Sequence, residues 1–267
     1  MKIGFLGGGQ MCEAIAKGLF SRKLDVQLVI AEKLEDRLEY LRGLFPTAKI
    51  TSSNADVLNA SDIIVISVKP QQIRSAFDGL SIPSGKLFIS ICAGVTLGKL
   101  ESYISPTARI ARVMPNLAAM VGEGAAGFSL NKNCAETDIQ IVKLIFGTVG
   151  AVVEHVAESV MDVVTGVSGS GPAYLCLLIE ALADAGVKHG MSRDTALRLA
   201  AQTCVGAGKM VLQGGNSNHP AVIKDKVCSP GGTSIAGVAE LEENGFRAAI
   251  FSAVSAAVER GRELGSV

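Results

Sequence analysis

The stretch Gly7-Gly8-Gly9-Gln10-Met11-Cys12 sets three consecutive glycines between an apolar run, KIGFL, and an amphipathic segment from Gln10 to Ser21. It matches G-x-G-x-x-G/A with Cys12 in the last small position, and it falls where a first strand would turn into a first helix. In that setting one glycine allows the tight turn, and the next lets the backbone approach a diphosphate whose charge is met by amides at the helix start. Glu32 stands about 20 residues further on, where an acidic side chain binds ribose hydroxyls in such folds. Lys33 and Arg37 lie beside it. Either could pair with a 2'-phosphate, so these residues leave the choice between NADH and NADPH open.

A second kind of chemistry is suggested further along. SGSGPAY (Ser168 to Tyr174) and SPGGTSIAGVAELE (Ser229 to Glu242) each place small residues before an apolar helical pattern. Unhindered amides and hydroxyls at such positions suit a small anion, a carboxylate for instance. His155, His189 and His219 are dispersed, and no Ser-His-Asp set or metal-spaced cluster is visible, so no metal site is expected. An alcohol dehydrogenation normally uses a histidine or lysine to exchange the hydroxyl proton. Reduction of a protonated imine needs only a hydride donor, a grip on the carboxylate and a hydrogen-bonding group near nitrogen. Lys69 and Tyr174 remain available as acids. A hydroxy-acid dehydrogenase would share the fold and need a lysine such as Lys188, Lys209 or Lys224. A dinucleotide sensor would have no use for the two anion-binding turns.

The elements that must position these groups follow from periodicity. Strands are predicted at Lys2 to Leu6, Val26 to Ala31, Asp62 to Val68, Lys86 to Cys92, Arg109 to Pro115, Gly124 to Leu130 and Ala151 to Val156. Between them helices are predicted at Gln10 to Ser21, Leu34 to Leu44 and Ala135 to Gly150. Near-continuous apolar strands alternating with helices indicate a doubly wound α/β fold. Beyond residue 157 the pattern becomes helical over Pro172 to Gly190, Ser192 to Gly214 and Phe246 to Leu264, with Ser170 and Ser192 placed as N-caps. The expected division is a Rossmann-like dinucleotide domain over 1–157 and an all-helical domain over 158–267. The stretch Gln213 to Gly232 reads as one long turn-rich segment. The helices are apolar around more than one stripe, which points to a subunit interface.

Composition narrows the partners. Lys plus Arg and Asp plus Glu are equal at 25 each, and without a basic stripe no nucleic-acid partner is expected. No uninterrupted apolar run nears the roughly 20 residues of a membrane span, so a cytoplasmic protein away from membranes is expected. Six scattered cysteines read as reduced, mostly buried thiols.

Taken together, GFLGGGQM, SVKPQ (Ser67 to Gln71), ICAGV (Ile91 to Val95), RVMPN (Arg112 to Asn116), VTGVSGSGPAY (Val164 to Tyr174) and DKVCSPGGTSI (Asp225 to Ile235) resemble the pyrroline-5-carboxylate reductase family across essentially the whole chain. The resemblance implies a Rossmann domain, a helical dimerisation domain, and reduction of L-pyrroline-5-carboxylate to L-proline by NADPH or NADH. It implies that Gly7, Gly8, Gly9, Gln10, Met11, Glu32, Asn54, Ser67, Val68, Lys69, Pro70, Ala93 and Gly94 line the dinucleotide. Ser229, Gly231, Gly232, Thr233 and Ser234 would hold the substrate, with Ser234 the catalytic hydroxyl near the substrate nitrogen. It further implies a homodimer, sometimes assembled into a larger ring. The chain departs from the family pattern in three places: Ser234 stands for the usual threonine, Leu117-Ala118 for Thr-Pro, and Cys12 for alanine.

Overall fold

In the computed structural model the described residues are 1–214 and 219–266. The first half alternates as the apolar runs require. β1 (Lys2–Leu6), α1 (Gln10–Ser21), β2 (Gln27–Ala31), α2 (Glu35–Leu44), β3 (Lys49–Thr51), α3 (Asn54–Ala60) and β4 (Ile63–Ile66) come first. They are followed by α4 (Ile73–Phe77), β5 (Leu87–Ser90), α5 (Leu97–Tyr103), β6 (Arg109–Pro115), β7 (Ala125–Leu130), α6 (Glu136–Phe146) and β8 (Val152–His155). One sheet carries all eight strands in the order β3-β2-β1-β4-β5-β6-β7-β8. Every neighbouring pair is parallel except β6 and β7.

Alternation along the strands splits the core into two layers. Ile63 and Val65 of β4 join Ile3, Phe5, Ile89 and the buried face of α1 on one side. Ile64 and Ile66 join Leu6, Phe88, Val57 of α3, Phe77 of α4 and Leu100 of α5 on the other. Because successive side chains point to opposite faces, a strand buried on both must be apolar throughout, which is why IIVI shows no polar residue. After β3 the chain crosses back to add β4 beside β1. That reversal opens a crevice beyond the carboxyl ends of β1 and β4, the place where doubly wound sheets bind ligands.

From residue 158 the chain is helical. A 3-10 turn (Glu158–Val160), α7 (Met161–Val164), a π turn (Thr165–Gly169) and α8 (Gly171–Lys188) run on without a break. This corrects the reading of Ser170 as an N-cap. Ser170 has helical dihedrals (φ −86°, ψ −19°), and its amide bonds Thr165 O at 2.8 Å, the longer reach of a π turn. The turn accommodates Pro172, which lacks an N–H and cannot satisfy the carbonyl four residues back. That carbonyl, Ser168 O, accepts instead from Asn116 Nδ2 at 3.1 Å. The run Glu158–Lys188 is also long and apolar enough to cross a membrane by length and composition alone, a property that counting uninterrupted apolar residues overlooks.

α9 (Arg193–Gln213), α10 (Pro220–Val227), α11 (Thr233–Glu243) and α12 (Phe246–Ser266) complete the described helices. Ser192 caps α9, its hydroxyl accepting from Thr195 N. The expected turn-rich segment from Gln213 lies partly outside the described residues, and the described part contains α10, which sequence reading missed. His219 caps that helix through Nδ1, and Pro220 opens it.

The chain divides into two compact units, residues 1–170 with 256–267, and residues 171–255. Within the second, α8 and α9 form a hairpin in which Gly186 meets Ala196, where an added Cβ would sit 3.1 Å from the alanine's. The expectation of mostly buried cysteines is also corrected. Only Cys12 and Cys92 are buried; Cys134, Cys204 and Cys228 are half-buried and Cys176 is exposed.

Candidate active site

The glycine turn sits at the carboxyl end of β1, where strand order reverses. Gly7 has φ +101°, the left-handed region that disfavours side chains, and a Cβ there would lie 2.8 Å from Ser67 O. The tightness comes from β4's end. Ser67 N donates to Leu6 O at 2.9 Å, and its hydroxyl donates to Gly7 O at 2.7 Å, so Ser67 fixes the turn's shape. A Cβ on Gly8 would press on Leu41 Cδ1 at 2.5 Å and Glu32 Cβ at 3.2 Å. Gly9 differs. It is extended (φ −70°), exposed, and open on the side where a Cβ would point.

Gly9 is the N-cap of α1 and offers no side chain to cap it. The amides of the first turn, at Gln10 and Met11, therefore have no acceptor within the helix; they lie at the positive end of the helix dipole, next to the open space over Gly9. A glycine turn without a capping side chain, with helix-start donors unspent within the helix, fits a dinucleotide diphosphate. Gly8 contributes otherwise, because its amide already donates to Glu32 Oε2 at 3.0 Å.

A charged cluster supports the turn from below. Glu13 on α1 is 5% exposed and binds Lys17 Nζ at 2.7 Å, Arg37 Nη2 at 2.7 Å and the Tyr40 hydroxyl at 3.1 Å. Burial by itself would raise its carboxyl pKa, and the hydrogen bonds from Lys17, Arg37 and Tyr40 outweigh this and lower it. Arg37 also donates from Nε to Gly8 O at 2.7 Å and stacks over the Tyr40 ring at 4.7 Å. Sequence reasoning did not single out Glu13. The available signal was an acidic residue on the otherwise apolar face of α1. Burial pushes the neighbouring Cys12 thiol far up, with Arg37 opposing and Glu32 and Glu13 adding to the rise.

The other residues assigned to the dinucleotide lie around the same strand ends. Asn54 begins α3 and donates from Nδ2 to Ala76 O at 3.0 Å, which leaves its side-chain carbonyl free of that bond. Val68 O accepts from Cys92 Sγ at 3.1 Å, which joins the Ser67 to Pro70 turn to the end of β5. Lys69 and Pro70 are exposed, and Pro70 opens a 3-10 turn. Ala93 is half-buried, and Gly94 turns with φ +77° against the end of α12, 3.2 Å from Gly265 N to an added Cβ.

In the second unit, Gly231 (φ +67°) and Gly232 lead into α11. Gly232 is the N-cap, has no capping side chain, and donates its own amide to Ser229 O at 3.0 Å. A Cβ on Gly232 would collide with Ser229 Oγ, so glycine there is what keeps that hydroxyl over the helix start. Thr233 and Ser234 are the first two helical residues, Thr233 exposed and Ser234 half-buried. Of the two anion-binding turns expected from sequence, this one is a helix start; the Ser168 to Tyr174 segment is the interior of a helical run.

Residues 158–264 match the family model described as pyrroline-5-carboxylate reductase dimerisation, and residues 2–94 match that described as NADP oxidoreductase, coenzyme F420-dependent. The pyrroline-5-carboxylate reductase of Arabidopsis thaliana is 43% identical over 98% of this chain and 95% of its own length. The chain belongs to the pyrroline-5-carboxylate reductase family. The Methanosarcina acetivorans member is 44% identical over 99% of this chain and 98% of its own. Among solved members, the pyrroline carboxylate reductase of Plasmodium falciparum, crystallised with NADP bound, superposes with a TM-score of 0.86 at 36% identity, covering 99% of this chain and 98% of that one. The dimerisation match thus covers the helices that expose large apolar side chains, and the fold is the family's Rossmann-like sheet followed by helices.

Proposed function

We propose that this chain reduces L-pyrroline-5-carboxylate to L-proline with NADPH or NADH, the last step of proline biosynthesis. The single observation that carries the reading is the pair of helix starts without a side-chain cap, at Gly9 and at Gly232, each N-cap being a glycine that adds no side chain there. The first would receive the diphosphate on the amides of Gly9, Gln10 and Met11. Glu32 would take the ribose, with Asn54, Ser67 to Pro70 and Ala93-Gly94 along the rest of the dinucleotide. The second would receive the substrate carboxylate on the amides of Thr233 and Ser234, with the Ser229 hydroxyl beside them; the Gly232 amide is spent on Ser229 O. The reduced dinucleotide, when bound, supplies the hydride that adds to the C=N carbon. Ser234 would orient the ring nitrogen, which is already protonated and needs no strong acid from the protein. Positioning of this kind is worth on the order of 7 kcal/mol or more.

The working division is a dinucleotide domain over 1–157 and a substrate-binding and dimerisation domain over 158–267. We further propose a cytoplasmic homodimer, built into a larger ring if dimers associate, with no nucleic-acid or membrane partner. Purified protein mixed with pyrroline-5-carboxylate and either reduced dinucleotide should lose the reduced-nicotinamide absorbance and yield proline. Folded protein that consumes neither would overturn the assignment. Ser234→Ala should lower kcat more than it raises KM, and Ser234→Thr should retain activity.

A further inference from the structure

The dinucleotide reading leaves open which phosphate state of the adenosine ribose the chain prefers, and the charges at the end of β2 bear on it. Glu32 follows that strand directly. Its carboxylate accepts three backbone amides: Gly8 N on Oε2 at 3.0 Å, and Lys33 N and Leu34 N on Oε1 at 2.6 and 3.2 Å. All three donors are neutral, so the side chain is held against the glycine turn with its negative charge uncompensated by any of them. A carboxylate has about four acceptor sites, so capacity remains for a ribose hydroxyl.

The cations nearby are differently placed. Arg37, the guanidinium suited to a 2'-phosphate, is only 25% exposed and already bonded to Gly8 O and Glu13, with its face on Tyr40. Lys17 is committed to Glu13. Lys33 is exposed and supplies a single point charge on a flexible stem. Outside Glu32 lies an open depression of about 380 Å3 lined by Leu34, Glu35, Asp36 and Arg37. Its lining adds two carboxylates, and Leu34, 69% exposed, offers an apolar edge for a base. A 2'-phosphate arriving here would face Glu32 and Asp36, and Glu35 paired with Arg42 at 3.3 Å, against one loose lysine and an arginine that must first leave a buried carboxylate.

We infer that Glu32 makes this chain select NADH over NADPH: the unmodified ribose donates to the carboxylate, whereas a 2'-phosphate is repelled by it. The inference rests on the dinucleotide-binding reading above. It is specific to these residues.

Dissociation constants of the full chain for NADH and NADPH, measured by nicotinamide fluorescence at two ionic strengths, test it without reference to turnover. NADH should bind at least about tenfold more tightly at low salt, the size expected of one unscreened like-charge contact. Raising the salt should narrow the gap, because screening relieves repulsion. Glu32→Gln should narrow it too, chiefly by tightening NADPH. Equal affinities, tighter NADPH, or NADPH binding that weakens relative to NADH as salt rises would overturn the inference while leaving the dinucleotide reading intact. Failure of the folded chain to bind either would overturn both. The comparison in the unmodified protein stands even if the variant does not fold.

Discussion

The two compact units reach their stability by different routes. Residues 1–170 with 256–267 hold a two-layer core in which Phe5, Phe88, Phe128 and Phe146 are almost fully buried. Among the described residues of 171–255, the buried ones are three alanines, Ala183, Ala196 and Ala200, whereas Leu177, Leu212 and Phe251 are 67%, 67% and 75% exposed. Burying a large apolar side chain contributes about 1.5–3 kcal/mol. The sheet unit collects that repeatedly within one chain. The helical unit has the side chains to do so and keeps them on its surface, so its stability is expected to depend on a second copy, as the dimerisation match over 158–264 implies.

The sharpest break of this contrast is Phe88→Ala in the sheet unit. It should cost about 3–5 kcal/mol, lowering Tm by an amount that protein concentration does not change and leaving sedimentation unaltered. Phe251→Asp should do the converse. Placing a charge where an apolar contact is expected should weaken self-association by about 2–4 kcal/mol, seen as monomer in light scattering and as a lower Tm at a given protein concentration. If Phe251→Asp leaves assembly untouched, the helical unit is not completed by that face.

A smaller effect separates the units by pH. Cys92, buried beside Ser90, has its thiol pushed from 9.0 to about 11 by desolvation, with the Ser90 hydrogen bond opposing. Between those values the unfolded chain has lost the proton and the folded chain retains it, so stability falls as pH rises. For Cys92 alone the loss is about 1.4 kcal/mol at pH 10. Cys12 adds in the same direction. Denaturant titrations from pH 8 to pH 11 should show that decline, and Cys92→Ala, whatever its own cost, should make it shallower while the part from Cys12 and Cys134 remains.

Much of the sheet unit was legible because its signals are local. Gln10 to Ser21 and Arg109 to Pro115 end where periodicity places them, and the glycines mark the first turn because only bare backbone fits there. β3, three residues long, and α5, seven, fall below what periodicity resolves. Ser170 and Pro172 carry the residue types of a helix start, and only Asn116, 52 residues before Ser168, shows that the freed carbonyl is satisfied without one. α10 was hidden because its neighbours are turn formers, although His219 and Pro220 are a serviceable cap and first residue. Glu32 was named from its position, but the three amides that hold its carboxylate come from two separate segments, a pairing that no local pattern reveals.

Gly7 and Gly9 are two residues apart, yet they answer to different masters. Gly7 is required by the polypeptide itself, through its left-handed backbone and the carbonyl at Ser67, while Gly9 has conformational and steric freedom that the folded chain never uses. In a saturation library sorted only for folded protein, Gly9 should drift toward alanine and serine while Gly7 stays fixed. The same library sorted for nucleotide capture should restore glycine at both, which would make position 9 a reporter of the ligand's own demand for space.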